Sequence, residues 1–307
     1  MAMGFEKTHR HSKLSQTIMI NFIQVLINGL LIGGIYSLTG ISLSLIVGVM
    51  GFINFAHGEF IMLGMYAAFW TVGLFHMPFY SSILLGLPLF YLFGVLLYRI
   101  LIERIVHEEH STMVFATLGL AMFLQNVVLF LWTANYRSVT LEGSLSEVWS
   151  FLGLRIANIK LISFVIVLVV TVLFTLFLNK TFIGKAIRAV SQNPRGADLV
   201  GIDRRRIFRL AFGIGTAFAA LAGILLAPIY PIYPTAGNNF ALLCYVIIIL
   251  GGLGSINGAM LGGIIIGLIE SVSGYLIAPD LKQMVYFTLF IVILLIRPWG
   301  LFGHRHM

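Results

Sequence analysis

The chain has 307 residues, 59% of them hydrophobic and only 10% charged, and its mean hydropathy is +1.01. That much apolar surface exceeds what a soluble core of this length hides, which excludes an ordinary cytosolic domain and makes a bilayer the solvent. In such a chain a net charge of +8 reports orientation across the membrane and not affinity for nucleic acid.

Apolar stretches recur from Ile18 to Ile296, and most reach the roughly 20 residues a helix needs to cross a hydrocarbon core about 30 Å thick. About ten spans are expected, at 20–38, 39–55, 59–76, 80–98, 113–134, 160–178, 208–228, 240–252, 258–277 and 283–297. Their hydrophobicity is continuous, without the period-2 alternation of a barrel strand, so the expected fold is an all-α polytopic transmembrane helical bundle. The first apolar run continues past the length of a signal h-region with no small-residue cleavage site after it, and is expected to stay as a span. Cys244, the single cysteine, lies inside a span, which excludes an intrachain disulfide and argues against a thiolate metal cluster. With a cytoplasmic N-terminus, only Arg137, Arg155, Lys160 and Lys282 of the 19 Lys and Arg fall outside. Both termini are therefore expected in the cytoplasm, with an even number of spans. The domain plan is a cytoplasmic tail over 1–19, one transmembrane domain over 20–303 and a short tail over 304–307.

Along the chain, Gly29 and Gly33 open a series of small residues at helix-packing spacing that resumes with Gly254, Gly258 and Gly262, then Gly263 and Gly267. Next come Asn54, His57 and Glu59, in INFAHGEF, after a short second span. Ionisable groups at membrane depth are costly and face a partner or a water-filled path; the alternative is that these three cap the third helix at the cytoplasmic interface. The run His107, Glu108, Glu109, His110 lacks the HExxH spacing of a zinc site and reads as a solvated loop. Residues 135–159 read as an external connecting loop, with Trp132 and Trp149 as interfacial anchors.

Residues 179–207 form a long cytoplasmic segment with signals for two short helices. Asn193 is placed to cap a helix beginning at Pro194, Gly201 suits a left-handed stop, and Asp203 can start the next helix ahead of Arg204, Arg205 and Arg206. Gly184 and Lys185 resemble part of a phosphate loop, but Ala186 stands where Ser or Thr is required, so ATP hydrolysis by that motif is excluded. Glu270, one to two turns from the outer end of the ninth span, either lines an outer vestibule or bonds Ser271, Ser273 or a neighbouring helix.

INFAHGEF at 53–60, TLGLAMFLQN at 117–126, GKAIRAV at 184–190, GADLVGID at 196–203, LGGLGSINGAMLGG at 250–263 and RPWGLFG at 297–303 together resemble the LivH-type permeases of branched-chain amino acid ABC importers. The likeness runs over about residues 25–303, in order, and departs at Asn257, where relatives often carry Pro. It implies an inner-membrane transport subunit, not an enzyme, working with a LivM-type second permease, two cytoplasmic ATPase subunits that use ATP and Mg, and a solute-binding protein. It implies no cofactor or metal bound by this chain. It also implies that the loop helix docks in an ATPase groove, with Lys185, Arg188, Pro194, Ala197, Asp198, Gly201 and Asp203 around the coupling element. Asn54, His57, Glu59 and Glu270 are the candidate pathway residues. Branched-chain amino acids are the expected cargo, with other amino acids, urea or short amides as alternatives and a self-sufficient secondary carrier as the rival mechanism.

Overall fold

The computed structural model describes residues 2–151, 153–278, 281–297 and 300–301, with side chains from residue 18 onward except Phe151. The tail at 304–307 and part of RPWGLFG lie outside the described residues. The helices are α1 (Ala2–Met50), α2 (His57–Gly73), α3 (Phe79–Leu97) with a π turn and one further turn, α4 (Glu103–Ile105), and α5 (His110–Trp132). After a hairpin of β1 (Val148–Phe151) and β2 (Leu154–Ala157) come α6 (Asn158–Lys180), α7 (Phe182–Gln192), α8 (Pro194–Leu199) and α9 (Arg204–Leu226). The chain continues through α10 (Ala236–Gly251), α11 (Ile256–Leu276) and α12 (Lys282–Ile296). Six of these are long and apolar enough to cross a membrane, and α10 and α12 are shorter apolar helices.

The spans expected at 20–38 and 39–55 are one helix, which lowers the expected count by one. The apolar run is long because α1 is the hub of the bundle: it packs on α6, α9, α10 and α11, and residues 33–47 are buried all round. No Pro interrupts it, and Gly40 is a contact point for Ile247 of α10, not a turn. At 1.5 Å per residue, Ile18–Met50 is about 50 Å long, more than the hydrocarbon thickness, so it tilts or protrudes.

This helix also relates two faces of the bundle. Near the middle of α1, in the first turns of its Ile18–Met50 apolar stretch, Gln24 donates to the Arg155 carbonyl (3.2 Å) and Asn28 accepts from Lys160 (3.4 Å), beside the β1–β2 hairpin. At the other end, Ser191 of α7 donates to the Gly48 carbonyl at 2.6 Å. The hairpin and the 179–207 loop therefore mark opposite faces, with residues 24–28 of α1 on the hairpin face and Gly48 on the loop face.

Residues 135–159 are more ordered than a plain connection, with a 3-10 turn at Gly143–Leu145 before the hairpin. Trp149 is exposed, but Trp132 stacks on Tyr66 with ring centroids 4.8 Å apart and joins the packing of α2. The Arg137 guanidinium lies 5.1 Å from both the Phe69 and Trp70 rings, which ties this face to the same helix.

Small residues set the closest approaches. On α1 and α11, Gly33 and Gly267 meet backbone to backbone, and a side chain at Gly263 would strike the backbone of Ser37. Gly258 and Gly262 pack against α10 at Gly251 and Ile247. Gly254 differs from expectation in being outside the helix: it sits in the turn before α11 at φ +76°, against Gly48. Asn257 occupies the first turn of α11, after the Ser255 cap.

Candidate functional site

Three regions carry the polar chemistry: a buried crossing of two helix starts, an ionic cluster toward the hairpin face, and the two-helix loop on the opposite face.

After Met50 the chain leaves helical geometry at Gly51 and turns back into the bundle, burying Phe52, Asn54 and Ala56. Asn54 Oδ1 accepts from the Ala56 amide at 3.0 Å, holding the turn, and α2 begins without a side-chain cap. His57 Nε2 lies 2.8 Å from Ser42 Oγ, two turns before the end of α1, so α2 starts inside the bundle and not at its rim. Asn54, His57 and Glu59 are all essentially inaccessible. His57 Nδ1, Asn54 Nδ2 and Glu59 Oε2 have no hydrogen-bond partner in the described chain. That is more polar capacity than a simple cap requires.

The start of α10 crosses this point. A Cβ at Gly58 would collide with the Gly237 carbonyl, and one at Gly237 would sit 2.6 Å from Glu59 Oε2. The Glu59 carboxylate thus lies against the first turn of α10, where unpaired amides and the helix dipole favour negative charge. Two helices that begin within the bundle and meet by their first turns form a discontinuous arrangement of the kind tolerated only where protein or a cavity covers the freed backbone. Gly237 is absent from the sequence-derived set. Its signal was the paired occurrence of AHGEF at 56–60 and TAGNNF at 235–240, each with Gly near the helix start.

Glu270 is 8% exposed and joins the second cluster. Its Oε1 accepts from Lys282 at 2.7 Å and from the Tyr230 hydroxyl at 3.4 Å, and the Tyr230 and Tyr36 hydroxyls are 2.7 Å apart. Of the expected partners, Ser271, Ser273 or a neighbouring helix, the structure shows the last, through Lys282 of α12; Ser271 donates to the Val25 carbonyl of α1 and Ser273 to carbonyls of its own helix. Lys282 had been read only as an external charge; its place at the start of α12 brings it to Glu270. A cavity of about 180 Å³ borders this cluster.

On the opposite face, Thr181 caps α7 and Asn193 caps α8, accepting from the amides of Gly184 (3.0 Å) and Gly196 (2.9 Å). Pro194 stands at the first position of α8, as expected. The helix ends with Gly201 at φ +81°, its amide bonding the Asp198 carbonyl while the Ile202 amide reaches the Ala197 carbonyl, the Schellman pattern. Asp203 caps α9, accepting from the Arg206 amide at 3.2 Å, and Arg204 pairs with Asp198 at 2.8 Å. Lys185 and Arg188 project outward from α7, whose Ala186, Ile187 and Val190 are buried.

Ala197 is 3% exposed and packs inward, so it does not belong to the outer contact surface. The outward apolar side chains are Leu199 at 88% and Val200 at 75%, which the capping argument passed over. His107, Glu108, Glu109 and His110 are exposed nearby, as a solvated run should be.

Comparison with known proteins bears on all three regions. A family model described as "Branched-chain amino acid transport system / permease component" matches residues 25–294. The chain is 32% identical to the high-affinity branched-chain amino acid transport system permease protein BraD of Pseudomonas aeruginosa, covering 92% of this chain and 96% of that one. It is 30% identical to the corresponding LivH protein of Salmonella typhimurium, with the same coverage. Similarity extends to the LivM permease protein of Escherichia coli at 26% identity, over 76% of this chain and 60% of that one. No solved structure matches the chain.

Proposed function

The chain belongs to the branched-chain amino acid transport system permease family, and on that premise we propose that it is the transmembrane permease subunit of an ATP-driven importer. With a second, LivM-type permease it lines the path of leucine, isoleucine and valine across a bacterial inner membrane. The similarity to both LivH and LivM proteins supports two related permeases packing side by side. Two cytoplasmic ATPases supply ATP and Mg chemistry, and a solute-binding protein delivers cargo to the hairpin face.

The observation that carries this reading is the 179–207 loop, whose α7 and α8 are both capped by side chains and which presents exposed Leu199 and Val200 together with exposed Lys185 and Arg188. That surface suits a groove on an ATPase, and on this reading the loop and the C-terminal end of α12 are cytoplasmic and the first turns of the α1 span external. Motion of the loop passes directly into α6 and α9, and into α1 through the Ser191–Gly48 bond. Because α9 packs along α2 and α3, it is transmitted to the crossing at Glu59 and Gly237. Asn54, His57 and Glu59 then act at the gate of the path, where charge is tolerated because the protein covers it in one state and water reaches it in another.

Reconstitution tests this reading. Purified alone, the chain should show no ATP turnover above background. With its partner permease, ATPases and binding protein in proteoliposomes, it should take up leucine only when ATP is inside with the ATPases. Robust turnover by the isolated chain, or ATP-independent accumulation, would refute the assignment. In the same assay Glu59→Gln should lower uptake by at least tenfold while complex assembly stays normal. Unimpaired transport would return Glu59 to a structural role at the start of α2.

A further inference from the structure

We propose that the cavity between Glu270 and the start of α10 is a binding subsite for a single zwitterionic, aliphatic α-amino acid on its way through this chain, a proposal that rests on the transport reading above. The cavity is about 180 Å³, smaller than the roughly 300–1,000 Å³ of drug-sized sites, and suits one small metabolite. Glu270, Lys282 and the Tyr36–Tyr230 hydroxyl pair supply polar groups to its lining, and Phe240, Leu243 and Ala236 supply apolar surface.

The polar groups have unused capacity of both signs. Glu270 Oε1 already accepts from Lys282 and Tyr230, but Oε2 is buried with no partner among the described residues, and a carboxylate oxygen can be satisfied only by a donor. An α-ammonium group supplies three donors and a positive charge. Lys282 uses one of its three donors on Glu270 and is a third exposed, so it has donors left for a carboxylate. The first turn of α10, capped by no side chain at Thr235, brings its positive dipole end to the cavity through Ala236. Ammonium against Glu270, carboxylate toward Lys282 and a branched alkyl group on Phe240 and Leu243 match these groups.

The strength of such a site is self-limiting, as transport demands. Glu270 and Lys282 neutralise each other when the cavity is empty, so a zwitterion replaces an existing ion pair and does not fill a bare charge. Binding strong enough to orient the cargo yet weak enough to release it follows from that exchange.

The test uses the whole reconstituted importer and compares uptake of leucine, alanine and 4-methylpentanoate, which is leucine without its ammonium. Wild-type uptake of leucine establishes that the transport reading holds; its absence would remove that reading and this subsite with it. Given wild-type uptake, Glu270→Gln and Lys282→Met should each lower leucine uptake at least tenfold, with the assembled complex recovered at the wild-type level. Because these changes disturb an ion pair, Phe240→Trp serves as a second probe that narrows the apolar lining and leaves the pair intact. It should depress leucine uptake at least fivefold more than alanine uptake. Leucine uptake within twofold of wild type in both charge variants, equal losses of leucine and alanine in Phe240→Trp, or 4-methylpentanoate uptake matching leucine would each overturn the proposal.

Discussion

Replacing Gly58 with Leu is expected to abolish uptake and to remove most of the assembled complex from the membrane. A Cβ at this position collides with the carbonyl oxygen of Gly237 and approaches the Ala241 amide at 2.9 Å. Both obstacles are backbone, so no side-chain rotation relieves them, and α2 and α10 must separate. Overpacking a core against side chains costs about 1–3 kcal/mol, and a forced separation of two helix starts stands at or above the top of that range. Against a total stability of about 5–15 kcal/mol, that is a large share. The crossing is braced further along α2, where Gly64 meets the backbone of Ala220 and Ile61 meets Gly223 of α9, so the displaced helix has no alternative seat. Gly119→Leu on α5 is the control, since nothing lies within 4 Å of its added Cβ. Size-exclusion profiles of the solubilised complex should lose the assembled peak for Gly58→Leu and keep it for Gly119→Leu. Wild-type assembly and uptake in Gly58→Leu would show that α2 and α10 are not clamped at this point.

What the sequence disclosed followed from local rules. The caps at Asn193 and Asp203, Pro194 at the first turn and Gly201 in left-handed geometry depend on a few neighbouring residues, and each is found where those residues place it. The glycine spacings likewise announced close helix contacts. Span counting failed at α1 because hydropathy measures apolar length and cannot distinguish two lipid-crossing helices from one long helix wrapped by others. The pairing of Glu270 with Lys282 spans the turn between α11 and α12, and that of Glu59 with Gly237 joins residues far apart in the chain. Neither has a local signature. The burial of Ala197 was hidden for a similar reason: the cap fixes where the helix stops, but which side faces the bundle is decided by its packing against α7 and α9.

The double variant Leu199→Asp with Val200→Asp is expected to bring ATP-dependent uptake and binding-protein-stimulated ATP turnover down together to background. Both side chains are outward, so changing them leaves this chain's own core untouched and expression should match wild type. Fully burying an aliphatic side chain is worth about 1.5–3 kcal/mol, so losing two from a docked tip removes about 3–6 kcal/mol, more than a hundredfold in affinity for the ATPase. The substituted carboxylates add desolvation cost in the groove. Ala197→Trp makes the contrast: that side chain points inward, so its expected effect is loss of the folded loop, seen as protease cleavage within 179–207, and not a selective docking defect. Gly201→Val occupies the middle ground, straining a φ of +81° that a β-branched residue resists and misdirecting the tip without changing its composition. The loop's role therefore rests on an ordered outcome: the Asp pair uncouples a well-folded complex, Gly201→Val uncouples it partially, and Ala197→Trp damages the element itself. Full coupling in the Asp pair would leave Leu199 and Val200 as solvent-facing residues and remove the loop from the path of force between ATP hydrolysis and α9.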